Sequence, residues 1–144
     1  MNLRTIIRVA ALFALALYVA ETFFGPRGGP VTGAMAPQVA LADETGAVVP
    51  LAPRDGKVHV LDFWATWCGP CKKSLPALQL LHEAYLAHPK VSVLGINVDG
   101  GSDDQTRTRR FMRARGFDFP VVFDAFKAAS TAYDVRTIPT LVII

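Results

Sequence analysis

An apolar run from Val58 to Ala65 is followed at once by Trp67-Cys68-Gly69-Pro70-Cys71, and a helical pattern opens there and continues through Lys72 and Lys73. This stretch holds both cysteines of the chain. Two thiols separated by two residues, placed where a strand ends and a helix begins, can close into a disulfide and reopen with little backbone movement. Any fold for this chain must therefore present a strand exit and a helix start together, and the chemistry such a junction suits is redox chemistry.

The helix start matters electrostatically. Its first backbone N–H groups lack intrahelical partners, and the positive end of the helix dipole favours a thiolate there. Cys68 occupies that end, where a thiol pKa falls below the free value of about 8.5 and the thiolate becomes a competent nucleophile near neutral pH. Cys71, one turn inward, is placed to resolve. Pro70 fits the first turn because it lacks an N–H that would be unpaired anyway, and Gly69 allows a partner's backbone to come close. The same spacing is half of a zinc site, but zinc needs three or four ligands. No third cysteine exists, and His59, His82 and His88 show no ligand spacing with the pair.

At 144 residues and 51% hydrophobic, the chain is long enough for one domain and a leader. Arg4 and Arg8 precede an apolar run from Val9 to Ala20, and beyond Glu21 the run resumes with Thr22-Phe23-Phe24. Residues 1–24 read as an export signal. Extended through Phe24 the segment nears spanning length, and neither Ala14-Leu15-Ala16 nor Ala34-Met35-Ala36 is well placed for cleavage. An uncleaved anchor is favoured over a cleaved signal peptide, with the basic end cytoplasmic and the domain in the periplasm or extracytoplasmic space. Residues 25–36, rich in Gly and Pro, read as a flexible linker. The formal charge of +3 is reached with Arg4, Arg8 and Arg27; without these and Glu21, 12 basic and 11 acidic residues remain, and nothing suggests a nucleic-acid partner.

Residues 37–144 read as the domain. Gln38–Ala42 and Val48–Leu51 flank Asp43-Glu44-Thr45-Gly46 as a hairpin. Val58–Ala65 is nearly continuous in apolar residues, with Asp62 its one charged residue, as in a strand covered by helices on both sides. Leu75, Leu78, Leu81 and Tyr85 recur at helical spacing, with Pro76 expected to kink that helix before it stops ahead of Pro89. Val91–Val98 is a strand, and Asp99-Gly100-Gly101 a turn. Ser102 and Gln105 form a capping box, and the helix that follows carries Arg107, Arg109, Arg110, Arg113 and Arg115 on a solvated face, with an Asp103–Arg107 pair, while Phe111, Met112 and Ala114 pack. Phe119–Phe123 is a short strand, Ala125–Tyr133 a short helix, and Leu141–Ile144 the last strand. Alternating strands and helices predict an α/β architecture.

These residues resemble the thioredoxin superfamily, and within it the TlpA/ResA-like membrane-anchored thiol-disulfide oxidoreductases of bacteria. The resemblance rests on Asp62-Phe63-Trp64-Ala65-Thr66-Trp67 before Cys-Gly-Pro-Cys, on Pro76, and on Ile138-Pro139-Thr140 before a strand. Phe119-Pro120-Val121-Val122 and Ala132-Tyr133-Asp134-Val135 look like that branch in particular. It implies a thioredoxin-like fold: a central mixed sheet flanked by helices, with an N-terminal β-hairpin. The strand and helix that usually end the family are missing, so the domain is expected to be C-terminally incomplete, with Leu141–Ile144 an exposed apolar edge.

By position, Cys68 resembles the attacking thiol and Cys71 the resolving one. Pro139 resembles a cis-proline that leaves the Ile138 backbone free to pair with a partner segment, and Trp67, Gly69 and Pro70 complete the substrate surface. Trp64 is core packing. Asp62 resembles the buried acid that exchanges a proton with the resolving cysteine. Two departures stand beside it: Gly95 where thioredoxins commonly carry a lysine, and Ser74 where ResA-like proteins carry a glutamate.

The resemblance implies an enzyme that needs no cofactor beyond the redox-active Cys68–Cys71 pair. Its expected substrates are disulfides of exported proteins, as in cytochrome c maturation or metal-site assembly, with a membrane electron donor upstream. The alternative is a redox-linked metallochaperone that binds copper through the two cysteines and a histidine. Peroxidase chemistry would want an isolated peroxidatic cysteine, which this chain does not have.

Overall fold

A computed structural model describes residues 32–101 and 104–144. The segment read as an anchor and most of the linker lie outside these residues, as do Ser102 of the capping box and Asp103 of the pair with Arg107. No described helix is long and apolar enough to cross a membrane.

Among the described residues six strands form one mixed sheet: β1 (Ala40–Asp43), β2 (Val48–Pro50), β3 (Val58–Trp64), β4 (Val91–Asn97), β5 (Val121–Phe123) and β6 (Thr140–Ile143). Three helices accompany them among the described residues: α1 (Gly69–Tyr85), α2 (Asp104–Arg115) and α3 (Ala128–Ala132). The strand order is β2-β1-β5-β4-β3-β6. The pairs β3–β4 and β4–β5 are parallel, and β1–β2, β1–β5 and β3–β6 antiparallel. The expected hairpin is β1–β2, closed where Asp43 Oδ1 accepts from the N–H groups of Thr45 (2.8 Å) and Ala47 (3.0 Å) and Gly46 takes a φ of 85°.

All of β3 after Val58 is buried, and its alternation splits the core in two. Val60 and Trp64 pack with Cys71, Leu75 and Leu78 of α1 and Met112 of α2, while Leu61 and Phe63 pack on the other face with Ile96, Val122 and Ala129 of α3. Helices thus cover both faces, the arrangement in which a central strand is buried on both sides. Because β3, β4 and β5 run parallel, all three leave the sheet at one edge. The turns after them, around Thr66, Asp99 and Asp124, share that edge, where ligand sites of such sheets lie.

Two packing assignments are corrected. Ala114 is exposed; α2 packs through Asp104, Thr108 and Met112 with Phe111 beside them, one stripe at helical spacing. On α1, Tyr85 is exposed and Gln79 is buried in its place. The Gln79 side chain donates to Asp118 Oδ1 (2.6 Å) and accepts from the Asp118 backbone N–H (3.0 Å), tying α1 to the segment before β5.

Candidate active site

Cys68 is the N-cap of α1, with extended backbone angles of φ −75° and ψ 110°. Its chain is held by a hydrogen bond from its own N–H to the Ala65 carbonyl (3.2 Å), and its carbonyl accepts from Lys72 N–H (3.2 Å). Cys68 Sγ accepts from the Cys71 backbone N–H at 3.1 Å, so the sulfur itself satisfies one of the donors a helix start leaves open. Gly69 and Pro70 fill the first turn on the exposed side.

The structure joins Cys68 and Cys71 in a disulfide with Cα atoms 5.3 Å apart. The two sulfurs differ in access: Cys68 is 5% exposed and Cys71 fully buried. Cys68 Sγ also lies 3.8 Å from the Ile138 carbonyl oxygen. The Ile138–Pro139 peptide is cis, and Pro139 is exposed beside half-buried Ile138. Trp67 is 63% exposed. Trp67, Gly69 and Pro70 thus surround the disulfide on one side and Ile138-Pro139 on the other, so every surface residue singled out in the sequence comes to one place.

Asp62 stands apart from that surface. It lies in the middle of β3, 4% exposed, on the same face as Val60 and Trp64 and hence on the side covered by α1. Among the described residues its Oδ2 has no hydrogen-bond partner. Burial pushes the carboxyl pKa up to about 7, with no charged neighbour contributing. A carboxyl in that state takes or gives a proton near neutral pH.

The two departures have local explanations. Ser74 turns its hydroxyl back to the Cys71 carbonyl (3.1 Å), spending it within α1. Gly95 is the register partner of Asp62, and a Cβ there would stand 2.8 Å from both Phe119 Cε2 and Trp64 Nε1. Trp64, fully buried, therefore occupies the space over Gly95 into which a larger side chain would project.

Sequence reasoning missed Asp99, which it assigned only to a turn. Its Oδ1 accepts from Thr66 N–H (2.7 Å) and its Oδ2 from Thr66 Oγ1 (2.8 Å), directly ahead of Trp67-Cys68. The available signal was positional: a short acid just past a strand parallel to the one that leads into the cysteine pair. Among the described residues, no three His, Cys, Asp or Glu side chains come together as a metal site.

Comparison with known proteins agrees with this geometry. Residues 32–144 match the family model described as the AhpC/TSA family. The chain is 31% identical over 142 residues to thiol-disulfide oxidoreductase ResA of Bacillus subtilis (strain 168), covering 99% of this chain and 77% of that one. It is 36% identical over 90 residues to sporulation thiol-disulfide oxidoreductase A of the same organism, covering 61% and 53%. Among solved structures, StoA of Bacillus subtilis superposes with a TM-score of 0.65 at 28% identity, over 77% of this chain and 81% of that one. A secreted disulfide oxidoreductase of Mycobacterium tuberculosis gives 0.61 at 25%, over 74% and 82%. With its mixed sheet, its helix-capping Cys-Gly-Pro-Cys and these relatives, the chain belongs to the thioredoxin-like AhpC/TSA family as a thiol-disulfide oxidoreductase of the ResA type.

Proposed function

We propose that the chain reduces disulfides of exported proteins outside the cytoplasmic membrane, held there by its N-terminal segment and re-reduced by a membrane electron donor. The observation that carries this reading is the inequality of the two sulfurs: Cys68 caps the helix and faces the Ile138 carbonyl, while Cys71 is fully enclosed. The Cys68 thiolate attacks one sulfur of a substrate disulfide, forms a mixed disulfide and releases the other sulfur as a thiolate. The Cys71 thiolate then attacks Cys68 Sγ, releases the second substrate thiol and closes the Cys68–Cys71 disulfide, so that two electrons pass to the substrate. Asp62 takes the proton from Cys71 in that second step. Trp67, Gly69, Pro70, Ile138 and Pro139 hold the substrate segment.

Direction follows from the reduction potential. The Gly-Pro dipeptide resembles that of reducing thioredoxins, at about −270 mV against about −120 mV for a strong oxidant. Apocytochrome c thiols and metal-site assembly proteins are the substrate classes that suit a tethered reductant. The test is the equilibrium potential of the Cys68/Cys71 pair in a thiol buffer, read by Trp64 and Trp67 fluorescence, together with trapping by Cys71→Ser. A value below about −220 mV, with the trapped adduct on Cys68, supports the reading. A value near about −120 mV would make the protein an oxidant and overturn it.

A further inference from the structure

We propose that Asp99 is a positioning residue for the nucleophile: its carboxylate locks the turn that carries Cys68 to the start of α1. The backbone ladder between β3 and β4 ends with Trp64 opposite Asn97 and one further bond, Val98 N–H to the Trp64 carbonyl at 2.9 Å. Beyond it the two chains diverge, β3 toward the cysteines and β4 toward Gly100-Gly101. Asp99 continues the pairing with its side chain instead. Its two oxygens take both donors of Thr66, at 2.7 and 2.8 Å, and Thr108 Oγ1 of α2 approaches Oδ2 at 3.5 Å. Asp99 is itself fixed by its N–H, which donates to Asn97 Oδ1 at 3.1 Å. Thr66 and Thr108 are both buried, so these charge-assisted bonds are poorly replaced by water.

The lock acts on chemistry through the cap. Two residues beyond Thr66, Cys68 Sγ must stay aligned with the Cys71 N–H, at 3.1 Å, for the helix start to stabilise the thiolate. A turn freed at Thr66 lets that sulfur drift, and the thiolate loses a donor. Removing the Asp99 charge alone acts in the opposite sense, because a nearby carboxylate disfavours a thiolate. The titratable groups on the elements that meet at the sulfur are otherwise Asp62 on β3, Lys72 and Lys73 on α1, and Asp134 and Arg136 in the segment leading to Ile138; α2 and β5 bring Met112, Phe111 and the preceding Phe119 to the adjoining core. None of these changes in the variants below.

The inference rests on Cys68 being the attacking thiol, so the experiment reads that first. The reduced full chain is alkylated with iodoacetamide across pH, the modified cysteine is identified, and the Cys68 pKa is taken from the rate profile and from thiolate absorbance. Wild type, Asp99→Ala and Asp99→Asn are compared, with kcat/KM for a peptide disulfide alongside. Asp99→Ala is expected to raise the Cys68 pKa and to lower both rates at neutral pH about five- to tenfold, with the loss closing at alkaline pH. Asp99→Asn can still accept from Thr66 N–H and donate to Thr66 Oγ1, so it is expected to recover most of the rate, with a Cys68 pKa no higher than wild type. Equal profiles for the two variants, or a wild-type profile for Asp99→Ala, overturn the lock. Wild-type alkylation at Cys71 instead overturns the assignment of Cys68, and this role falls with it.

Discussion

Asp62 and Gly95 stand opposite one another in the parallel β3–β4 pair, and the space a side chain on Gly95 would need is filled by the Trp64 indole and the Phe119 ring. The buried acid therefore has no cation at its register partner, and burial alone sets its proton affinity. Gly95 is kept small by packing on the α1 side of the sheet, where Trp64 and Phe119 meet edge to face at 6.2 Å.

Gly95→Ala should accordingly destabilise the fold. Its Cβ would meet two buried aromatic side chains at 2.8 Å. Overpacking of this kind costs about 1–3 kcal/mol, read as a lowered urea midpoint at unchanged slope. A midpoint equal to wild type would mean that the rings move freely.

Asp62→Asn should stabilise the oxidised protein, and more so at alkaline pH. The folded-state pKa of about 7 lies above the ordinary value of 3.8, so between these values the folded chain holds a proton that the unfolded chain releases. Stability contributed by Asp62 is thus full below about pH 4, falls as pH rises, and is lost above about pH 7. The whole span amounts to about 4 kcal/mol, and Asn abolishes the dependence. Urea unfolding at pH 5 and pH 8 should show a variant that gains about 2–4 kcal/mol over wild type at the higher pH. A parallel pair of curves would contradict the burial argument. If Asp62 takes the Cys71 proton as proposed, the same variant should slow the Cys71 step in the reduced protein.

What could be read ahead of the structure was mostly local in the chain. The junction of β3 and α1 announces itself through an apolar run, a cysteine pair and Pro70, and the β1–β2 turn through Asp43 and Gly46, because those residues act on backbone within four positions of themselves. Gln79 and Asp99 gave no such signal. Gln79 meets Asp118 and Asp99 meets Thr66 across 39 and 33 residues, and only the folded sheet brings them together. Ala114 was assigned to the packing side of α2 by its apolar character, whereas the position's phase relative to Thr108 and Met112 sends it outward. A small residue on a helix carries too little apolar area to determine which face turns inward.

Asp124 supports α3 in a way that a single substitution can measure. The carboxylate is 2% exposed and accepts from Ala129 N–H (3.0 Å), Ser130 N–H (2.8 Å) and Ser130 Oγ (2.6 Å), while Lys127 beside it takes a left-handed φ of 58°. Asp124→Ala strands two backbone donors at a helix start and should cost about 1–3 kcal/mol. Asp124→Asn, which keeps one acceptor, should lose less. Thermal or urea unfolding distinguishes them, and equal losses would show that the single acceptor kept by Asn contributes nothing.

The last strand supplies a test of association. β6 is an edge of the sheet, bonded to β3 on one side, and it exposes Leu141 (54%) and Ile143 (64%) on the face shared with Asp62 and Val60. Val142 between them is buried on the opposite face, so substitutions at 141 and 143 leave that contact intact. An unpaired edge with apolar side chains is a template for another strand, and a charge there opposes pairing. In a chain beginning at Thr32, Ile143→Lys, alone or with Leu141→Lys, should reduce concentration-dependent association by sedimentation. Folding stability should change by no more than about 0.5 kcal/mol, as for exposed sites generally. Association that persists unchanged in the double variant would place the sticky surface elsewhere, and the exposed β6 edge would then have no part in it.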